Sequence, residues 1–218
     1  GYDILDLPDS LFSWFVSVFH DNPVPAPSPD LSWNKLMLSL QNHRIQAFLS
    51  YRLQGKSDIF YPPEQWKEVL DSSHIQGISW FRTITQISHL DRIFHDAKID
   101  YVLLKGPALA WQVYPHPSLR DSIDIDILID GHDIQAATTC LCKNGYSVRF
   151  ESSKVSEHIF HHQVFFPDPG CGTKTIEVHW RPLFLPKATG IITVSDLLSR
   201  QTFIHTEIGD IPVLSLPD

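Results

Sequence analysis

The chain reads as an α+β protein, with helices first and a sheet after them. From about residue 31 to residue 97, apolar residues recur at three- and four-residue spacing. From residue 100 that spacing gives way to short runs rich in Val, Ile, Tyr and Phe, separated by Gly, Pro, Asn and Asp. One such run, Ile123-Asp124-Ile125-Asp126-Ile127, alternates acid and Ile with the period of a strand. The 218 residues, 43% apolar and 19% charged, have the composition of an ordinary globular protein.

In chain order, Asp9-Ser10 caps a short helix to about His20. Pro23, Pro25, Pro27 and Pro29 make residues 21–30 an extended, Pro-rich linker. Asp30 is the expected N-cap of one helix from Leu31 to about Leu53. Leu36, Leu40, Ile45, Phe48, Leu49 and Leu53 lie on its apolar face, and Gln54-Gly55 ends it. Tyr61-Pro62-Pro63-Glu64 opens a helical pattern to about Ala97, with room for a break at Ser72–Ser73. Its stripe is Ile84, Ile87, Leu90, Ile93 and Phe94. Residues 1–98 are therefore expected to form an N-terminal helical region, and residues 99–218 the core.

In that core, residues 100–104 predict a buried strand, broken by Lys105-Gly106-Pro107 before a short helix from Ala108 to Val113. Ile123 to Ile129 is the acid-bearing strand. Ile134 to Lys143 is helical and closed by Asn144-Gly145. Tyr146–Phe150, Phe160–Phe166 and Thr173–Trp180 are strands, the last two joined by a turn-rich loop at residues 167–172. A last helix is expected from Thr193 to Thr202, with the helical part continuing past residue 218.

Composition narrows the function. A formal charge of −8 argues against broad binding of a nucleic-acid backbone. A nucleotide remains compatible if metal ions and a few local cations offset its charge. Three Cys give no paired framework, so Cys140, Cys142 and Cys171 are expected as buried thiols in a reducing compartment. The apolar run Leu11–Phe19 is too short to span a bilayer. It has neither a basic region before it nor a small-residue cleavage site after it, and the expected location is cytoplasmic, with no membrane partner.

The chemistry-bearing residues lie in the second half. Asp124 and Asp126 fall on one face of their strand, with Ile123, Ile125 and Ile127 entering the core on the other. Two carboxylates that close repel, and a divalent cation relieves the conflict; the plainer reading is a solvated edge strand. Glu177, in Thr175-Ile176-Glu177-Val178-His179, faces away from Ile176 and Val178. If its strand neighbours the Asp strand, three carboxylates converge, an arrangement suited to metal-assisted phosphoryl or nucleotidyl transfer. Lys105-Gly106 at a strand–helix junction offers a charge and a close backbone approach for phosphate, or is simply a turn. Arg120 binds phosphate or pairs with Asp121. In Glu157-His158-Ile159-Phe160-His161-His162, the last two His point to opposite faces of a strand. One of them, taken as His162, shares the Glu177 face and contacts phosphate or acceptor, or is an ordinary hydrogen-bonded His. The same pair of readings applies to His179. Trp180 stacks on a base or packs in the core. Asp121 and Asp130 read as turn and capping residues, and Trp33, Trp66, Trp80 and Trp111 as packing.

Several of these pieces stand in the order of a known family. They are Leu103-Leu104-Lys105-Gly106-Pro107-Ala108-Leu109, Tyr114-Pro115, Arg120, Asp124-Ile125-Asp126-Ile127-Leu128, Gly145-Tyr146, His161-His162 and Ile176-Glu177-Val178-His179-Trp180-Arg181. Together with a helical lead-in from about residue 35, the chain resembles the uncharacterised nucleotidyltransferases of the polymerase β-type superfamily, a family often found in bacterial peptide natural-product clusters. The resemblance implies a palm-like mixed sheet flanked by helices. It implies Mg²⁺ (or Mn²⁺) on Asp124, Asp126 and Glu177, with Glu177 also a base for the acceptor hydroxyl. Lys105, Gly106, Arg120, His162 and His179 become the expected nucleotide-binding residues. The superfamily usually has Gly-Ser or Gly-Gly about a dozen residues before the first Asp. Here Gly106-Pro107 lies eighteen residues upstream, and Pro has no N–H to offer a phosphate.

The expected function is transfer of an NMP from an NTP, expected to be ATP, to a hydroxyl, amine or phosphate of a peptide, protein or small molecule. Two rivals stand beside it. One is a non-catalytic module of the same fold that binds nucleotide or peptide. The other is a toxin-like enzyme acting on tRNA or protein, against which the acidic charge weighs.

Overall fold

The computed structural model describes residues 9–20, 32–54, 63–148, 162–181 and 193–215. The chain divides into two compact units, Gly1–Ser79 with Ser118–Asp121, and Trp80–Pro117 with Ser122–Asp218. The expected linker at 21–30 lies outside the described residues, as does His161.

The first unit is helical. It holds α1 (Asp9–His20), α2 (Trp33–His43), α3 (Gln46–Arg52) and the start of α4 (Pro63–Ala97). Trp14, Val18, Leu36, Leu40, Leu49 and Leu53 form much of its core. The single helix expected over 31–53 is two. Arg44 takes the left-handed conformation (φ 55°) and turns its N–H back to the Gln41 carbonyl. Arg is not a residue that advertises such a turn, so the sequence carries no signal for it. The N-cap is Ser32, and Asp30 lies outside the described residues. Asp121 pairs with Arg44 at 3.9 Å and accepts from Ser79. Conversely, α4 runs 35 residues without the break allowed at Ser72–Ser73; Pro63 opens it, where the missing N–H costs nothing.

The second unit is built on a seven-stranded mixed sheet of order β3-β4-β5-β2-β1-β7-β6. The strands are β1 (Tyr101–Leu104), β2 (Asp124–Ile129), β3 (Tyr146–Val148), β4 (His162–Pro167), β5 (Thr175–His179), β6 (Thr202–Thr206) and β7 (Gly209–Val213). Helices α5 (Lys105–Val113), α6 (Ile134–Lys143) and α7 (Val194–Ser199) complete it. At the centre β2 runs antiparallel to β1 and parallel to β5, so this is the mixed sheet with flanking helices that the resemblance implies.

Strand alternation sorts the side chains onto two faces. Ile125, Ile127, Ile129, Tyr101, Leu103, Ile176 and Val178 pack with Ile87, Leu90, Ile93 and Phe94 of α4 and with Ala137 and Leu141 of α6. Tyr101 also meets Phe94 edge-to-face and donates its hydroxyl to Asp91. On the opposite face Val102 and Leu128 are covered by Leu197 of α7, a short helix held by a Thr193–Asp196 capping box.

Four expectations give way in this unit. Ile123 precedes β2 and is 63% exposed rather than buried. Lys105-Gly106-Pro107 does not separate strand from helix but forms the first turn of α5. The helix expected to reach Thr202 stops at Ser199, and the chain then turns through the β6–β7 hairpin, with Gly209 at φ 119°. Cys142 and Cys171 are exposed and Cys140 only half-buried. Among the described residues, no helix is long and apolar enough to cross a membrane.

Candidate active site

The polar end of the α7-covered face gathers five side chains of the second unit. The register makes this possible. Leu104 of β1, Asp126 of β2, Glu177 of β5 and Val164 of β4 lie in one row across the sheet. His179 and His162 form the neighbouring cross-strand pair. The two acid-bearing strands are thus direct neighbours, and Asp126 and Glu177 share a face because both occupy even steps from Leu128 and His179.

Asp126 is the centre of the group. Its side chain is 5% exposed, and its Oδ1 accepts from Lys105 Nζ and from His179 Nε2, each at 2.9 Å. A carboxylate only accepts, so in this geometry His179 carries its proton on Nε2. Burial pushes the Asp126 carboxyl up, but the hydrogen bonds and charges of His179 and Lys105 hold it below its ordinary value. Glu177 Oε2 lies 3.6 Å from the same His179 nitrogen. The His162 ring sits 5.2 Å from that of His179, tilted by 32°, and its buried Nδ1 has no hydrogen-bond partner among the described residues.

Lys105 reaches Asp126 because it directly follows Leu104, the register partner of Asp126. Its backbone stands at φ 43°, a left-handed conformation in which a non-glycine residue is strained by about 1–3 kcal/mol. Strain of that kind persists where surrounding structure demands it. Gly106 is buried beside it, and a Cβ there would stand 2.8 Å from Ser122 Cβ. Its lack of a side chain lets α5 close against the segment leading into β2.

Asp126, Glu177 and His179 offer ligand atoms that all lie within 4.8 Å of one another. Donors held about 2.1–2.4 Å from one ion must fall within such a span, so the two carboxylates fit a single divalent cation, and His179 would join them only by giving up the Nε2 proton that it donates to Asp126. Asp124 opens β2 on the same face, half-buried and opposite Thr175 in β5, and is not part of that close group. Arg120 belongs to the first unit. Among the expected residues the structure therefore brings together Asp126, Glu177, His179, Lys105 and His162. What sequence reasoning did not foresee is the pairing of Lys105 with the Asp126 carboxylate. Its only sequence signal is a position one residue past the strand that pairs with β2.

Residues 29–218 match the family described as uncharacterised nucleotidyltransferases. No curated protein is significantly similar to the chain. Among solved structures, the lincomycin-bound lincosamide antibiotic adenylyltransferase LnuA is similar over 61% of this chain and 80% of its own, at 16% identity and a TM-score of 0.41. A Thermotoga maritima protein described as a nucleotidyltransferase covers 61% of this chain and 79% of its own, at 24% identity and a TM-score of 0.41. An antigenic nucleotidyltransferase-like protein from Paracoccidioides brasiliensis covers 60% and 59%, at 19% identity and a TM-score of 0.39.

Proposed function

The chain belongs to the family of uncharacterised nucleotidyltransferases, and from that premise we propose that it transfers an NMP from an NTP, ATP first among them, to a hydroxyl, amine or phosphate of a peptide, protein or small-molecule acceptor. The observation that carries this reading is the convergence of Asp126, Glu177 and His179 donors on one point of a shared sheet face. Asp126 and Glu177 would hold a divalent ion, with Asp124 as the further carboxylate on the same face. Mg²⁺ or Mn²⁺ suits the carboxylate oxygens. Bound there, the ion supplies charge to offset that developing on the transferring phosphoryl group.

The side chains do the rest. Glu177, less buried than Asp126, takes the proton of the acceptor group as it attacks. His162 Nδ1 and Lys105 Nζ are the groups that meet nucleotide phosphates. The family resemblance suggests peptide natural-product biosynthesis as the setting.

A second reading, nucleotide binding without transfer, is favoured by one observation. Lys105-Gly106-Pro107 lies in the first turn of a helix with Gly106 packed on Ser122, so that this stretch is not a Gly-rich loop that could cradle a triphosphate. Pyrophosphate release, measured with each NTP, Mg²⁺ or Mn²⁺ and a panel of acceptors, separates the two. Metal-dependent release lost in Asp126→Asn supports transfer. Metal-dependent nucleotide binding with no release supports the module.

A further inference from the structure

A divalent ion bound through Asp126 Oδ1 would meet an oxygen that two donors already occupy. Lys105 Nζ and His179 Nε2 both reach it at 2.9 Å, which satisfies its two lone pairs. One of the donors must leave before that oxygen can coordinate a cation. His179 sits on β5 and is 7% exposed, whereas the Lys105 side chain is 57% exposed and hangs on a flexible four-carbon stem. An ammonium and a divalent cation also repel at such range. Lys105 is therefore the group that moves, and once displaced it needs another anion.

Resting on the metal-dependent reading above, we propose that Lys105 is an exchangeable counter-cation. It neutralises Asp126 before the ion arrives, yields Oδ1 to the ion, and transfers its charge to a phosphate of the incoming nucleotide. One lysine thereby makes metal binding and nucleotide binding interdependent. The metal alone must displace it, while metal and nucleotide together give it a new partner.

The test measures Mn²⁺ binding by the loss of the free-ion electron paramagnetic resonance signal, alone and with a non-transferable NTP analogue. Lys105→Met should bind Mn²⁺ alone more tightly, on the order of tenfold for one removed competing charge. It should bind the analogue in the presence of Mn²⁺ several-fold more weakly. Lys105→Arg, which keeps the charge, should stay near wild type in both. Lysine acylation read by mass spectrometry gives a second measurement on the wild-type chain. Lys105 labelling should rise with Mn²⁺ and fall again with the analogue. Equal Mn²⁺ affinity in wild type and Lys105→Met, or labelling indifferent to Mn²⁺, overturns the exchange and leaves the metal site standing. No Mn²⁺ binding in either protein overturns both.

Discussion

Along β2 the chain alternates between two environments that reach the same depth by different means. Ile125, Ile127 and Ile129 are fully buried against α4 and α6, and their side chains lie in an apolar cluster. Asp126, between two of them, is 3% exposed, yet it sits among a lysine, an imidazole and a second carboxylate. Burying an ionised carboxylate without partners is prohibitive. Here hydrogen bonds and opposite charge offset that cost and keep the group ionised. Depth alone therefore does not distinguish core from site; what surrounds the buried group does.

The largest test of this contrast is Asp126→Asn. Loss of the charge should lower pyrophosphate release by at least about a thousandfold, equivalent to roughly 4 kcal/mol of transition-state stabilisation, while circular dichroism stays that of the wild type. An unchanged rate would place the chemistry elsewhere. Ile127→Ala, one residue away, should do the reverse. It should cost about 2–5 kcal/mol in urea unfolding, and the protein that remains folded should still bind Mn²⁺ as wild type does.

Gly106→Ala probes the junction between strand and site. Its new Cβ, 2.8 Å from Ser122 Cβ, should destabilise by about 1–3 kcal/mol. Ser122→Gly should recover part of that loss in the double mutant; simple additivity would mean that the two positions do not collide.

The smallest effects are in pH. Asp126 is held below its ordinary pKa. Its contribution to stability is fully present above the unfolded value of about 3.9 and is lost as pH falls through the folded value. Tyr101, raised first by burial and then by Asp91, works at the other end. Above about pH 10 the unfolded chain ionises while the folded one does not, so stability falls as pH rises. Asp126→Asn should flatten only the acid limb of a stability–pH profile, and Tyr101→Phe only the alkaline limb. Changes on both limbs from either variant would erase the distinction between the faces.

Much of this was legible in the residues. The alternation of Ile125, Asp126 and Ile127 announces a strand with one polar and one apolar face, and Ile134–Lys143 with Asn144-Gly145 announces its helix and its end. The phase of Glu177 against Ile176 and Val178 is a local property and can be read locally. The β6–β7 hairpin was not legible, because Pro212 inside β7 argues against a strand, and its strand character comes from pairing with β6 along its length and with β1 at Val213. Arg44 gave no sign of a helix break. The Lys105–Asp126 pair depends on the Leu104–Asp126 register, which no local pattern specifies.

The parallel alignment of β2 with β5 has a consequence for biogenesis. Asp126 and His179 stand 53 positions apart along the polypeptide, and closing so wide a loop is slow relative to forming local helices and hairpins. A ribosome-bound fragment ending before residue 175 holds the first acids but cannot bring Asp126, Glu177 and His179 together. On the metal-dependent reading proposed above, competence for cation capture would be acquired late in folding, and uptake of Mn²⁺ during refolding would serve as a clock for completion of the sheet's central pairing.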